Sequence, residues 1–161
     1  MSDDVGGFVV TGLLAVVLVG ASSLLMYEGL RFAWRFMSRS RRRHGRILYA
    51  LAVPFVVHIV AIWIYGIAYF VLIRYFPGLG SLISVNAQEQ VNTYSLLTSG
   101  YFSAATYTSL GFGDIVPIGH MRMIAGAEAL NGLLLIGWSV TFSFLTMEEF
   151  WDRPILRRRD K

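Results

Sequence analysis

The sequence predicts an all-α membrane protein with three transmembrane helices and one shorter helix that enters the membrane without crossing it. Of the 161 residues, 55% are hydrophobic and only 15% are charged, whereas soluble domains carry about 25% charged residues. Three apolar runs are long enough to cross a ~30 Å hydrocarbon layer at about 1.5 Å per residue. They cover residues 8–26, 47–73 and 123–147.

The first apolar run is predicted to be a transmembrane helix and not a cleaved signal peptide. It follows Ser2, Asp3 and Asp4, whereas a signal peptide begins with a basic segment and has a shorter apolar core. The second run contains Pro54, which removes one helical hydrogen bond and is expected to bend the helix. Neighbouring helices in a membrane bundle make such a bend tolerable.

The positive charges predict the orientation in the membrane. Of the 14 lysine and arginine residues, seven lie in segment 31–46 and five in segment 153–161. Because basic residues concentrate on the cytoplasmic side, both segments are expected in the cytoplasm, and the N-terminus and residues 74–122 outside. We therefore expect a multi-pass protein of the plasma membrane, which in a bacterium is the inner membrane.

The outer region is predicted to contain an exposed loop and a re-entrant helix. Residues 74–93 are rich in turn formers and polar side chains, whereas residues 94–108 are mostly apolar but too few to span. The run TYTSLGFGDIVP, residues 106–117, then places glycines, hydroxyls and a carboxylate between apolar segments. Unpaired peptide groups cost several kcal/mol there, a cost that a dehydrated cation bound to the peptide oxygens would offset.

This order of elements, with SLGFGD after the short helix, resembles the tetrameric potassium channels. Their pore loop reads T-V-G-Y-G-D or a close variant, and the resemblance covers residues 47–147. It implies a homotetrameric potassium-channel pore domain, built from an outer helix, a pore helix and an inner helix, here preceded by an extra transmembrane helix. It also implies potassium ions as permeant ligands in a selectivity filter formed by Ser109, Leu110, Gly111, Phe112 and Gly113.

The residue types of this filter suit the implied mechanism. Backbone angles that alternate in sign aim successive carbonyls the same way, and Gly111 and Gly113 adopt such angles cheaply. The Ser109 hydroxyl adds a further ring of oxygens, and Phe112 is expected to point away from the axis and pack on the pore helix. The C-terminal end of the pore helix directs its partial negative charge toward an ion in the cavity.

The filter departs from the common pattern at two positions, where serine replaces threonine and phenylalanine replaces tyrosine. The first change loses a methyl group that restrains the rotamer, and the second loses a hydroxyl that ties the filter to its surroundings. In addition, some bacterial members carry a glutamate where this chain has Ala105, and it shares a proton with the aspartate after the filter. We therefore expect Tyr101 to donate to Asp114, Thr108 to support the filter, and inactivation to differ from that of glutamate-bearing relatives.

Three residues of the last apolar run have two interpretations each. Glu128 and Asn131 share one face of the helix, and an ionisable side chain within a span is a functional candidate. Asn131 either lines the cavity below the filter or forms a helix–helix hydrogen bond. Glu128 either has a functional place, in the cavity or anchoring the back of the pore helix, or forms such a bond. Gly132 is either a gating hinge, as the resemblance implies, or a close-packing position.

The basic segment is predicted to lie at the membrane surface. Arginines spaced by four residues beside aromatic side chains are typical of an interfacial amphipathic helix, and anionic headgroups attract each basic residue by about 1 kcal/mol. A voltage sensor fits less well, because these arginines follow the apolar run. The residues expected to face lipid are Arg39, Arg41, Arg42 and Arg43.

The chain is thus predicted to comprise an N-terminal transmembrane helix (1–30), a basic interfacial segment (31–46), a pore domain (47–150) and a basic tail (151–161). The predicted function is passive potassium-selective conduction without a cofactor, and the alternatives are a weakly selective monovalent cation channel and a non-conducting regulatory membrane subunit. We expect no enzyme, since no nucleophile–base pair lies at useful spacing, and no nucleic-acid partner. His58 is expected to be structural, and potassium in the filter to be the sole bound metal.

Overall fold

The computed structural model describes residues 2–39, 43–85 and 95–150, with side chains described for 5–37, 48–85 and 95–149. The predictions for Arg39, Arg41, Arg42, Arg43 and the tail 151–161 therefore lie outside the described residues or side chains. In chain order, the elements are α1 (Ser2–Arg39), α2 (Arg43–Tyr75), a 3₁₀ turn (Pro77–Leu79), β1 (Gly80–Ser84), α3 (Leu96–Tyr107), β2 (Ile115–Gly119) and α4 (Met121–Phe150).

Three of the helices are long and apolar enough to cross a membrane, and they match the three apolar runs of the sequence. The candidate spans are Val5–Met37 in α1, Leu48–Tyr75 in α2 and Met121–Glu149 in α4. Pro54 lies inside α2 without ending it, as expected for a proline in a helical bundle. The protein is therefore a multi-pass membrane protein.

Helix α1 is longer than its apolar run predicts. It has 38 residues, about 57 Å at 1.5 Å per residue, and continues beyond the predicted boundary at residue 30. Met26, Leu30, Ala33 and Met37 are all buried, at a spacing that places them on one helical face. Ala33 and Met37 form a small cluster with Ala50 of α2, so packing against α2 carries the helix through the first arginines of the basic segment.

Helix α3 lies between α2 and α4 because small residues allow a close approach. Gly66 of α2 faces the backbone of α3, where an added Cβ would lie 2.9 Å from the Cα of Gly100. Gly100 itself packs against the ring of Trp63. Such glycine contacts let backbones approach in membrane helix pairs, and here they seat the short helix within the bundle.

The exposed loop predicted for residues 74–93 contains the strand β1. The turn-forming residues of this segment did not predict a strand. β1 pairs antiparallel with β2, with Gly80 opposite Gly119 and Ser84 opposite Ile115. Gly80 has φ 135°, and a side chain there would overlap the carbonyl oxygen of Ile118. Leu82 is buried and fastens this ribbon to the helices. The ribbon therefore fixes the chain after the SLGFGD motif to the end of α2.

Candidate functional site

The short helix α3 ends directly before the glycine-rich motif. Its N-cap Ser95 accepts a hydrogen bond from the Leu97 amide, the usual role of serine at this position. Its 12 residues extend about 18 Å, which is too short to span a membrane. At its other end the Thr108 hydroxyl donates to the carbonyl of Ala104 at 2.7 Å, so Thr108 caps α3 and supports residue 109 through the backbone.

The backbone of residues 109–113 alternates in the sign of φ. Ser109, Gly111 and Gly113 have φ of 57°, 54° and 77°, and φ is negative at Leu110 and Phe112 between them. The sequence predicts this alternation from the two glycines. It gives no sign that Ser109 also adopts a left-handed conformation, which costs a non-glycine residue about 1–2 kcal/mol.

Two backbone hydrogen bonds set the direction of the carbonyl groups in this segment. The Ser109 amide donates to the carbonyl of Thr106 at 2.9 Å, and the Gly111 amide donates to the carbonyl of Ala105 at 3.2 Å. In a trans peptide the C=O points opposite to the N–H, and the described residues contain no cis peptide bond. The carbonyls of Thr108 and Leu110 therefore point away from α3.

One side of the same segment is open. A Cβ added at Gly111 or Gly113 would have no heavy atom within 4 Å. Leu110 and Phe112 are 63% and 64% exposed. The segment thus leaves two apolar side chains and its two glycines open to the outside of the single chain, while the carbonyls of Thr108 and Leu110 point away from α3.

Asp114 is held by two donors. Tyr101 Oη donates to Asp114 Oδ2 at 2.8 Å, the contact that the sequence predicts, and the Ile115 amide donates to Oδ1 at 3.0 Å. The hydrogen bond to Asp114 raises the pKa of Tyr101 above its usual value of 10.0, which keeps Tyr101 a donor. The ring of Tyr101 also stacks on Phe112 at 6.4 Å with an interplanar angle of 4°, so one α3 side chain supports both residues.

Gly132 contacts the end of α3. A side chain at this position would overlap the carbonyl oxygen of Tyr107. The sequence allowed a gating hinge or a close-packing position at Gly132, and this contact fits close packing. The inner helix α4 therefore touches the backbone two residues before Ser109.

Glu128 joins three helices. It is fully buried, Tyr69 Oη of α2 donates to its Oε2 at 2.6 Å, and Ser103 Oγ of α3 lies 2.6 Å from its Oε1. A carboxyl group enclosed within one chain favours the interpretations of Glu128 as an anchor behind α3 or a helix–helix hydrogen bond over the cavity interpretation. The sequence placed Glu128 at the back of the short helix as one alternative, but Tyr69 and Ser103 could not be paired with it from spacing.

Asn131 also faces the interior of the chain. It is 3% exposed, its Nδ2 donates to Ser22 Oγ at 2.7 Å and to Tyr65 Oη at 3.3 Å, and its Oδ1 accepts from Ser23 at 3.3 Å. These partners enclose Asn131 between α1, α2 and α4, which favours the helix–helix hydrogen bond over the cavity interpretation. The extra helix α1 is thus bonded to α4.

His58 connects the end of α3 to α4. Its Nδ1 lies 2.9 Å from Tyr107 Oη and its Nε2 lies 3.0 Å from Ser139 Oγ. Burial raises the pKa of Tyr107, so its hydroxyl stays protonated and can donate to His58. No sequence spacing pairs His58 with Tyr107, yet the structural role expected for His58 fits these bonds. Across the described parts of the chain, no three His, Cys, Asp or Glu side chains form a metal-binding group.

Three helices long enough to cross a membrane, and a short helix that leads into an open glycine-rich segment, define a membrane protein with a pore-loop architecture. A family model described as "Ion channel" matches residues 57–149, which is more than half of the 161 residues. The chain therefore belongs to this ion channel family, whose members are channels and not enzymes, and carries an additional N-terminal apolar helix outside the match. No curated protein and no solved structure shows a significant match.

Proposed function

We propose that the protein is a potassium-selective channel that conducts ions passively through a filter formed by residues 109–113. The observation that carries the proposal is the alternation of φ in this segment, together with the amide bonds that turn the carbonyls of Thr108 and Leu110 away from α3. Carbonyl rings of this kind replace the hydration shell of potassium in selective filters. Tyr101, Thr108 and Asp114 support the segment from α3 and from its outer end.

The proposed filter requires a homotetramer. One chain contributes one carbonyl at each level, and four chains around a shared axis complete each ring. The exposed side of residues 109–113 supports this assembly, as do the apolar side chains that α4 presents outward. Those exposed residues of α4 include Leu130, Leu133, Leu134 and Val140.

The charges support an orientation in the membrane. Segment 31–46 and the C-terminal tail hold 12 of the 14 lysine and arginine residues, which favours a cytoplasmic position for both by the positive-inside rule. The N-terminus, the β1–β2 ribbon and Asp114 then lie toward the outside of the plasma membrane. The proposed filter has its outer end beside Asp114 and its inner end at Ser109. Ions pass between these ends in the direction that their gradient sets.

A weakly selective cation channel on the same pore is the second candidate, and the residues that favour it are Ser109 and Phe112. Both lack a group that stiffens the common filter, a methyl and a hydroxyl. The stack of Phe112 on Tyr101 and the bond from Tyr101 to Asp114 compensate for the missing hydroxyl. For this reason we favour potassium selectivity.

Reconstitution of the purified protein into liposomes tests both points. We expect potassium flux, and a reversal potential under bi-ionic potassium and sodium conditions that corresponds to potassium preference. Gly111→Ala should abolish flux, because alanine is strained at φ 54°. Gly12→Ala is the matched control, since a Cβ at this α1 glycine meets nothing within 4 Å. Flux without ion preference would establish the weakly selective channel, and absence of flux from the folded tetramer would reject conduction.

A further inference from the structure

The contacts of Glu128 include one hydroxyl that faces two acceptors. Ser103 Oγ lies 2.6 Å from Glu128 Oε1 and 2.7 Å from the carbonyl oxygen of Ile62. The second carboxyl oxygen of Glu128 accepts from Tyr69 Oη at 2.6 Å. These oxygen–oxygen distances lie at or below the usual value of about 2.7–2.8 Å for an O–H···O hydrogen bond, so we assign each of the three contacts a proton of its own.

The two hydroxyl groups supply only two of these protons. A peptide carbonyl carries no hydrogen, so the contact with Ile62 must use the single proton of Ser103. The proton of Tyr69 occupies the contact with Oε2 of Glu128. The remaining contact, between Ser103 Oγ and Glu128 Oε1, is a hydrogen bond only if the carboxyl group itself carries a proton.

We infer that Glu128 is a neutral carboxylic acid that donates to Ser103 and so acts as a positioning residue for α3. Its surroundings agree with a neutral group, because an unpaired buried charge is costly. The titratable side chains that face it are Tyr69, Tyr65 and Tyr107. Arg31 pairs with Glu28 on the surface of α1, whereas the hydrogen-bond partners of Glu128 are the neutral side chains of Tyr69 and Ser103.

The proton completes a continuous chain of donors across the bundle. Glu128 of α4 donates to Ser103 of α3, and Ser103 donates to Ile62 of α2. A carboxylate would reverse its bond with Ser103 and leave the carbonyl of Ile62 without the serine proton. The neutral acid therefore ties α3 to both neighbouring helices at once. The assignment of the proton is independent of which ion passes, whereas the effect on the filter rests on the proposed function.

Infrared spectroscopy of the purified protein in a detergent without ester groups tests the proton directly. A protonated carboxyl group absorbs as a C=O stretch that is separate from the bands of carboxylates. We expect this band at neutral pH in the wild-type protein and in Glu28→Gln, the control at the exposed surface ion pair, and its loss in Glu128→Gln. A wild-type protein without the band, or a Glu128→Gln protein that retains it, would overturn the inference. Neither result depends on conduction.

Two substitutions then test the positioning role by potassium flux. In Glu128→Gln the amide NH₂ can donate to Ser103 while its oxygen accepts from Tyr69, so flux and tetramer yield should stay within about twofold of wild type. In Glu128→Ala both bonds are lost and flux per tetramer should fall by about tenfold or more. Equal loss in both variants would reject the donor role, and normal flux in Glu128→Ala would reject positioning. If Glu128→Ala yields no tetramer, recovery of the tetramer by Glu128→Gln supports the role.

Discussion

Asp114 and Phe112 share one supporting side chain, and this arrangement compensates for the missing tyrosine hydroxyl. In the structure Tyr101 donates to Asp114 and stacks on Phe112, so this residue of α3 holds the outer end of the proposed filter. The hydrogen-bonding hydroxyl therefore comes from α3 and not from the filter residue itself. Outer-filter rigidity is therefore expected to depend on Tyr101.

Tyr101→Phe should loosen the outer end of the proposed filter. The substitution keeps the ring that stacks on Phe112 and removes the hydrogen bond to Asp114, so inactivation should be faster and the mean open time shorter. Single-channel recording measures both quantities. Tyr27→Phe, at an exposed position of α1, is the matched control, and equal inactivation in Tyr101→Phe and wild type would contradict this role.

The same hydrogen bond predicts a pH dependence. It raises the pKa of Tyr101 above its usual value of 10.0, so the hydroxyl stays protonated throughout the neutral and mildly alkaline range and is lost only above that value. Inactivation should then be unchanged from about pH 7 to 9 and should accelerate above about pH 10 in wild type, but not in Tyr101→Phe. A marked change in the inactivation rate between about pH 7 and 9 would contradict the role of Tyr101. Acid-sensitive inactivation like that of relatives with glutamate at the position of Ala105 would also contradict it.

Ser109 explains one departure from the common motif. Its φ of 57° is poorly tolerated by β-branched residues, so serine suits this backbone better than threonine. We expect Ser109→Thr to lower the stability of the assembly by about 1 kcal/mol, visible as a lower temperature of tetramer dissociation. A tetramer at least as stable as wild type would show that the left-handed conformation is not retained.

At the scale of the elements, the end of α3 is held from two sides. Gly132 of α4 contacts the carbonyl of Tyr107, and the Tyr107 hydroxyl is bonded to His58 of α2. The position of Ser109 therefore depends on how α2 and α4 pack around α3. Changes in that packing are expected to reach the proposed filter through Tyr107.

Gly132→Ala distinguishes packing from a hinge. The added methyl group overlaps a backbone carbonyl, and such overpacking typically costs about 1–3 kcal/mol, so the yield and thermal stability of the folded protein should fall. Gly137→Ala, where a Cβ meets nothing within 4 Å, is the control. A hinge without packing would instead give normal stability and an altered open probability.

The sequence predicts the three long helices, the short helix and the alternating backbone of the motif, because these depend on local hydropathy and on glycine. It does not predict contacts between residues that are distant in the chain. Leu82 is buried and β1 is paired, but the neighbouring Pro77, Gly78 and Gly80 favoured a loop. The partners of Glu128 and Asn131 come from other helices, and no periodicity within α4 could have named them.

At the scale of the whole molecule, the helix α1 is part of the bundle and not a separate anchor. Its buried face packs on α2, and its Ser22 and Ser23 bond to Asn131 of α4. The family match covers residues 57–149, so this extra helix is bonded to α4, a helix of the matched domain. Movements of α1 in the membrane are therefore expected to be transmitted to α4.

Asn131→Ala tests this connection. It removes the bonds to Ser22, Ser23 and Tyr65, and leaving these buried partners unpaired should lower the free energy of unfolding by about 1–2 kcal/mol. The docking of α1 should weaken, while α2 and α4 retain their apolar contacts. Proteolysis or hydrogen exchange restricted to α1 would detect the change. Unaltered protection of α1 in Asn131→Ala would show that apolar packing alone holds the helix.

We propose that the peptide oxygens of residues 109–113 from four chains bind bare potassium ions on a common axis. Rubidium can replace potassium and scatters anomalously, so a crystal of the assembled protein grown in rubidium tests the claim most directly. We expect a line of anomalous peaks along the fourfold axis, level with the peptide oxygens of residues 109–113. Absence of those peaks from a well-ordered tetramer, or peaks located away from these carbonyls, would contradict it.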